Sequence, residues 1–273
     1  MDVATVPEGA KAGARGRSLF RAVAVPTEHG GWGLTLEPAL LGLLVAPSWA
    51  GAALAGCALV AFVARTPVKC VLVDRRRHRR LPRTVIAERV AAIELALLVA
   101  LVTIASIGAQ GPFWVPIVVA APLVAVELWF DVRSRSRYLV PELAGTIGIG
   151  AVAAAIVLVD GGDRSLAAAL WCIVAGRAVA SVPFVRTQLH RFKQQASRRS
   201  TSDAMQALAV VIALGAFALD GQVLAGLVVI AVLGLLQVWA ARRPPPAAAI
   251  LGAEQVAAGL TIVLVTALGV LAP

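Results

Sequence analysis

A chain of 273 residues that is 59% hydrophobic and only 15% charged, with a mean hydropathy of +0.85, carries more apolar surface than a soluble domain of that length can bury. Its 25 basic residues outnumber 15 acidic ones, a net charge of +10. In a membrane protein that excess first marks the loops held on the cytoplasmic side, so nucleic acid is not an expected partner. Three cysteines without a CxxC pair give no disulfide framework and no zinc site.

Residues 1–25 read as a flexible cytoplasmic tail without the apolar core of a cleavable signal peptide; residues 26–273 read as a single transmembrane helical domain. Apolar segments follow at about 33–47, 49–65, 85–107, 113–130, 139–159, 165–185, 204–219, 221–241 and 247–271. A crossing needs roughly 17–25 residues. The first segment is short and contains Pro38, so nine spans is the first expectation and eight the alternative. The predicted fold is all-α: a polytopic helical membrane protein of about nine transmembrane helices.

The connections alternate in character. Residues 65–84, 131–138, 186–203 and 242–246 are rich in arginine, whereas those near 47–48, 108–112, 160–164 and 220–221 are short and carry only Arg164 as a basic residue. Four basic loops in agreement place the N-terminus in the cytoplasm. The expected location is the cytoplasmic membrane, crossed several times. Trp49, Trp114 and Trp171 fall near the outer ends of segments and Trp32, Trp129 and Trp239 near the inner ends, the positions of two interfacial belts. Gly145, Gly148 and Gly150 permit close helix approach.

Ionisable groups within apolar spans are costly and mark candidate sites. Here they are Glu37, Glu88, Glu94, Glu127, Glu142, Arg177 and Glu254, all toward the cytoplasmic ends. The pattern predicts a polar cavity open to the cytoplasm, with Glu94 and Arg177 deepest and able to pair at its floor. Three segments supply the remaining candidates. Pro26–Gly33 brings His29 and Trp32 ahead of Glu37. The stretch Arg65-Thr-Pro-Val-Lys69 is followed by Asp74 and an Arg/His run. Pro183-Phe-Val-Arg186 follows Arg177. Guanidinium groups at span ends suit a phosphate or pyrophosphate; the same charges also serve topology and bind anionic headgroups. The candidate ligand-binding set is therefore His29, Trp32, Glu37, Arg65, Asp74, Glu94, Arg177 and Arg186. No metal or other cofactor is expected. The expected partners are membrane lipids and a phosphate-bearing ligand.

The layout of helices and polar loops is similar to the UbiA prenyltransferase superfamily, in which the loops after spans two and six carry Asp-rich motifs that bind pyrophosphate through Mg²⁺. The chain departs from that pattern, offering only Asp74 and Asp203 there and no DxxxD. The words Pro-x-Glu-His-Gly-x-Trp at Pro26–Trp32, Arg65-x-Pro67 and Pro183-Phe-Val-Arg186 resemble the YwiC-like family of bacterial membrane proteins. That resemblance marks His29, Trp32, Arg65, Pro67 and Arg186 as signature positions. Together these features imply a cytoplasm-facing binder of an anionic, lipid-tailed ligand, or a degenerate transferase. A small-anion transporter and a non-catalytic scaffold are the alternatives.

Overall fold

In the computed structural model, residues 29–135 and 137–272 are described, with Phe20, Val23, Ala24 and Pro26; the His29 side chain and most of the expected tail lie outside the described residues. The described residues form nine α-helices: α1 (His29–Val45), α2 (Trp49–Arg76), α3 (Pro82–Ile107), α4 (Trp114–Val132), α5 (Leu139–Val159), α6 (Arg164–Phe192), α7 (Arg199–Leu219), α8 (Leu224–Ala240) and α9 (Ala248–Leu271). Eight helical segments are long and apolar enough to cross a membrane. The exception is α1, which at 17 residues, with Pro38 inside, spans about 25 Å at 1.5 Å per residue. The molecule is a multi-pass helical membrane protein.

Two helices run further than hydropathy alone predicts. The connection expected at 65–84 is mostly helix, because α2 continues through Pro67 to Arg76. The connection expected at 186–203 begins as helix, because α6 continues through Pro183 to Phe192. Apolarity ends at Arg65 and near Val185, but the helices go on because their charged faces find partners on neighbouring helices. The turns that finally stop them are tight. After α2, α4 and α6 the chain turns through His78, Ser134 and Gln194, all at positive φ. Each turn is closed by a six-residue backbone bond: Arg79 N to Asp74 O, Arg135 N to Phe130 O, and Gln195 N to His190 O. These are Schellman ends, in which a left-handed residue satisfies the last carbonyls.

At the opposite end of the bundle Ser48 caps α2 by accepting from the Gly51 amide at 3.1 Å. Asp163 caps α6, and the Ser165 hydroxyl and amide that bond it hold its carboxyl below the usual carboxylate range.

The core sits around α5, which is buried almost continuously from Ala144 to Val159 and packs on α1, α2, α4 and α6. Its glycines allow this. A Cβ on Gly148 would meet Val124 of α4 at 3.3 Å, and one on Gly150 would meet Val174 of α6 at 3.1 Å. By contrast α3 packs chiefly on α2 and turns Ile93, Leu95 and Val99 outward. Trp49, Trp114, Trp129 and Trp239 are exposed. Trp171 is not a belt residue: its Nε1 donates to the Ile147 carbonyl at 2.8 Å inside the bundle. Trp32 packs edge-on to Phe62, ring centroids 5.0 Å apart.

The helices repeat a plan. Proline precedes the left-handed residue by the same spacing in α2 (Pro67, His78) and in α6 (Pro183, Gln194). Near their basic ends α4 and α8 carry matching words, Glu127-x-Trp129-x-x-x-Arg133 and Gln237-x-Trp239-x-x-x-Arg243. In both, the arginine stacks on the tryptophan, at 3.3 Å and 3.8 Å from the ring centroid. As α2 packs on α3, so α6 packs on α7; as α4 packs on α5, so α8 packs on α9.

Candidate functional site

Three polar clusters lie in the half of the bundle that carries the basic loops. The first joins α2, α4 and α5. Arg65 Nε and Nη2 donate to Asp131 at 2.9 and 3.2 Å, and its Nη1 lies 2.9 Å from Glu127 Oε1. Lys69 Nζ donates to Asp131 Oδ1 at 3.2 Å. Arg65 and Lys69 are four residues apart, as are Glu127 and Asp131, so each pair shares one face of its helix. The Asp131 side chain is completely buried. Gly145 of α5 abuts the Glu127 carboxylate, and a Cβ there would collide with it. Two cations thus meet two anions in a partly buried setting, where the bonds are charge-assisted and strong.

The second cluster lies deeper, between α1, α6 and α9. Arg177 donates from Nη1 to Gln255 Oε1 at 3.0 Å and from Nη2 to the Gln255 carbonyl at 2.7 Å. Its Nη2 also reaches Glu37 Oε1 at 3.5 Å. Its Nε lies 3.3 Å from Glu37 Oε2, but off the hydrogen-bonding direction. Both side chains are buried. Gly259 of α9 provides the space that the Glu37 carboxylate fills. The third cluster is at the rim, where Arg186 Nη1 donates to Glu142 Oε2 at 2.6 Å and to the Arg137 carbonyl at 2.9 Å.

The candidates therefore separate. Arg177 pairs with Glu37 and not with Glu94. Glu94 sits on peripheral α3, only half-buried, with Oε2 lacking a hydrogen-bond partner. The helical packing explains the difference: α3 does not reach α6, whereas α1 does. Asp74 has a structural position. Its carboxylate accepts from Arg83 at 2.7 and 3.1 Å and from the Thr84 hydroxyl at 2.7 Å, which fastens the α2–α3 corner. Arg65 belongs to the first cluster, Arg186 to the third, and Trp32 to the α1–α2 contact. His29 opens α1, its side chain outside the described residues. Lys69, Glu127 and Asp131 are absent from the expected set although they form the densest charge cluster. The signal that could have found them is the four-residue spacing on both helices. Glu254 lies on the exposed face of α9 and belongs to none of the three clusters.

Beyond these clusters, in the half away from the basic loops, the interior formed by the described residues is apolar apart from the buried Thr266 hydroxyl of α9, which lies against Gly226 of α8. Leu41, Leu54, Ile156, Val157, Val159, Leu170, Ile173, Ala213 and Ala216 are all buried there in one continuous core. Charge at one end and close apolar packing at the other define a polytopic helical membrane protein with its polar chemistry on a single side. Residues 25–157, a little under half of the chain, match the model of the YwiC-like protein family, which bears out the resemblance read at Pro26–Trp32 and Arg65-x-Pro67. Neither the curated proteins nor the solved structures provide a match.

Proposed function

We propose that the protein is a bacterial cytoplasmic-membrane protein that binds, from the side of its basic loops, an anionic ligand with a phosphate-bearing head and a lipid or isoprenoid tail. The observation that carries this reading is the division of the bundle along its axis. Arg65, Lys69, Arg177 and Arg186 all lie toward the basic end, each held by a carboxylate, and the opposite half is closed by the apolar core. A transporter needs polar routes to both faces; a binder of a ligand that enters from one leaflet needs one. A phosphate arriving at Arg65 would replace Glu127 or Asp131 as the acceptor, exchanging one charge-assisted pair for another.

A degenerate transferase of the UbiA-like layout is the catalytic form of the same reading. Asp74 and Asp203 are each engaged by an arginine, Arg83 and Arg242, and neither belongs to a DxxxD pair. The test is a thermal-shift titration of the purified chain with isoprenoid diphosphates, together with mass spectrometry of co-purifying lipid. Stabilisation by the diphosphate that is lost in Arg65→Lys supports a geometric site, because lysine keeps the charge but not the bidentate fork. A chain that retains no lipid and ignores the diphosphates overturns the reading. A second reading, transport of a small anion, is favoured by the depth of the Arg177–Glu37 pair. Uptake into proteoliposomes that Arg177→Ala abolishes would establish it.

A further inference from the structure

We infer that the inner ends of α4 and α8 form two equivalent docking positions for the headgroups of anionic phospholipids. The inference concerns the perimeter of the bundle and stands whether or not the interior holds a ligand. Trp129 and Trp239 are both exposed large side chains, and each sits within the last turn or so of its helix, at the end where a basic loop begins. An indole at that level places its apolar body against acyl chains and its polar edge among headgroups. What distinguishes these two from the other exposed tryptophans, Trp49 and Trp114, is the guanidinium stacked on each ring, Arg133 on Trp129 and Arg243 on Trp239. A stacked guanidinium has its face covered by the indole and its edge of N–H donors left in plane, the geometry that meets a phosphodiester bidentately.

Among the described residues no acid pairs with Arg133 or Arg243. The acids near these ends are occupied: Asp131 is engaged by Arg65 and Lys69, and Asp203 by Arg242. Both positions are also fixed from behind. Arg76 Nη1 donates to the Val132 carbonyl at 3.1 Å, next to Arg133, and Arg191 Nη2 donates to the carbonyl of Arg243 at 2.7 Å. Further positive charge lies in the loop after α4, at Arg135 and Arg137. Charge complementarity therefore selects an anionic lipid of the leaflet on that side, and the repeat of the motif predicts two such lipids.

The test uses the full chain in detergent, titrated with phosphatidylglycerol and, in parallel, phosphatidylcholine, with bound lipids counted by native mass spectrometry. A third arm adds inorganic phosphate as competitor. Two phosphatidylglycerol molecules are expected to bind in preference to phosphatidylcholine and to resist millimolar phosphate. Arg133→Gln and Arg243→Gln should each weaken one of the two by about fivefold, the effect of one basic side chain at a membrane surface. Trp129→Leu and Trp239→Leu should do the same without changing net charge, with unaltered thermal unfolding showing that the fold is intact. Full retention of phosphatidylglycerol in the tryptophan variants overturns the inference in favour of diffuse charge attraction. Equal retention of the two lipids, or complete displacement by inorganic phosphate, also overturns it.

Discussion

In the first half of the chain, α2 is joined to α4 by Arg65 and Lys69 on one side and Glu127 and Asp131 on the other. In the second half the corresponding helices are α6 and α8, and the same positions hold Ser181, Val185, Gln237 and Ala241. There, among the described residues, no ion pair joins the two helices, and the one charged group at the junction, Arg191 of α6, donates to the Ala241 and Arg243 carbonyls at 2.6 and 2.7 Å. Gln206 of α7 donates to the Ala180 carbonyl at 2.9 Å and to Gln237 Oε1 at 2.8 Å, all buried. Carboxamides, with one arginine bound to main-chain carbonyls, thus hold this helix arrangement together without an ion pair between α6 and α8. The ion pairs of the first half are more than the architecture requires. Ionisable groups in a membrane protein carry a desolvation cost that neutral side chains avoid, so charge kept where a neutral solution exists in the same molecule points to use. The charged half is also the half that matches the YwiC-like family model.

The most decisive way to break this comparison is to transplant the neutral solution. A chain carrying Arg65→Ser, Lys69→Val, Glu127→Gln and Asp131→Ala removes equal numbers of cations and anions. The expected outcome is a folded protein, by thermal unfolding in detergent, that no longer responds to isoprenoid diphosphates in the thermal-shift titration. If the graft unfolds while its second half is unaltered, the cluster is structural and the contrast between halves loses its functional meaning.

Single removals should behave differently from the graft. Asp131→Ala takes a buried carboxylate from Arg65 and Lys69 while Glu127 stays with Arg65, a loss of charge-assisted hydrogen bonding worth about 1.5–3 kcal/mol. Gln237→Leu removes a neutral hydrogen bond between helices, worth roughly 1 kcal/mol in membrane proteins. The gap between these two, measured as the difference in midpoint of denaturant unfolding in mixed micelles, sharpens the comparison. Equal losses would show that charge and carboxamide play the same part.

A smaller effect is expected from filling the glycine notches beside the carboxylates. Gly145→Ala and Gly259→Ala would each push a methyl group into a carboxylate, that of Glu127 or of Glu37. Overpacking of this kind costs about 1–3 kcal/mol. Gly215→Ala is the control, since nothing lies within 4 Å of a Cβ there. Because the notch at Gly145 belongs to the charged cluster, Gly145→Ala should also lower diphosphate response more than stability alone explains, read as the shift at saturating ligand compared with Gly259→Ala.

How much of this was readable beforehand follows from what hydropathy measures. The spans were legible because lipid demands long apolar helices, and the short α1 was flagged by its length and Pro38. The continuation of α2 to Arg76 and of α6 to Phe192 was not, because a helix whose charged face is satisfied by another helix looks like a polar loop in one dimension. Membership of the site was harder still. Glu94 and Arg177 share a similar depth, but their pairing depends on which helices touch, and α3 lies at the periphery. Asp131 stands at the end of an apolar run, where an acid normally meets water, so its position alone does not mark it; in the fold it is wholly buried against Arg65 and Lys69. The repeated tryptophan–arginine word in α4 and α8 was present in the sequence throughout and would have aligned the halves.

The equivalence of the halves itself can be tested where chemistry plays no part, at the turns. His78 and Gln194 occupy left-handed backbone at φ 51° and 54°, and each follows a C-cap with nearly the same dihedrals, φ −86° and ψ 6° at Arg77, φ −84° and ψ 8° at Lys193. A side chain in that region crowds the following carbonyl, at a cost of about 1 kcal/mol that glycine avoids. His78→Gly and Gln194→Gly should therefore each raise stability by roughly that amount, and to the same extent, with additive effects in the double variant because the turns share no partner. Neither change touches a side chain of the charged cluster, so diphosphate response should stay as it is. Unequal gains would mean that one of these turns is held by more than its Schellman bonds, and that the two halves match in outline but not in the mechanics of their basic ends.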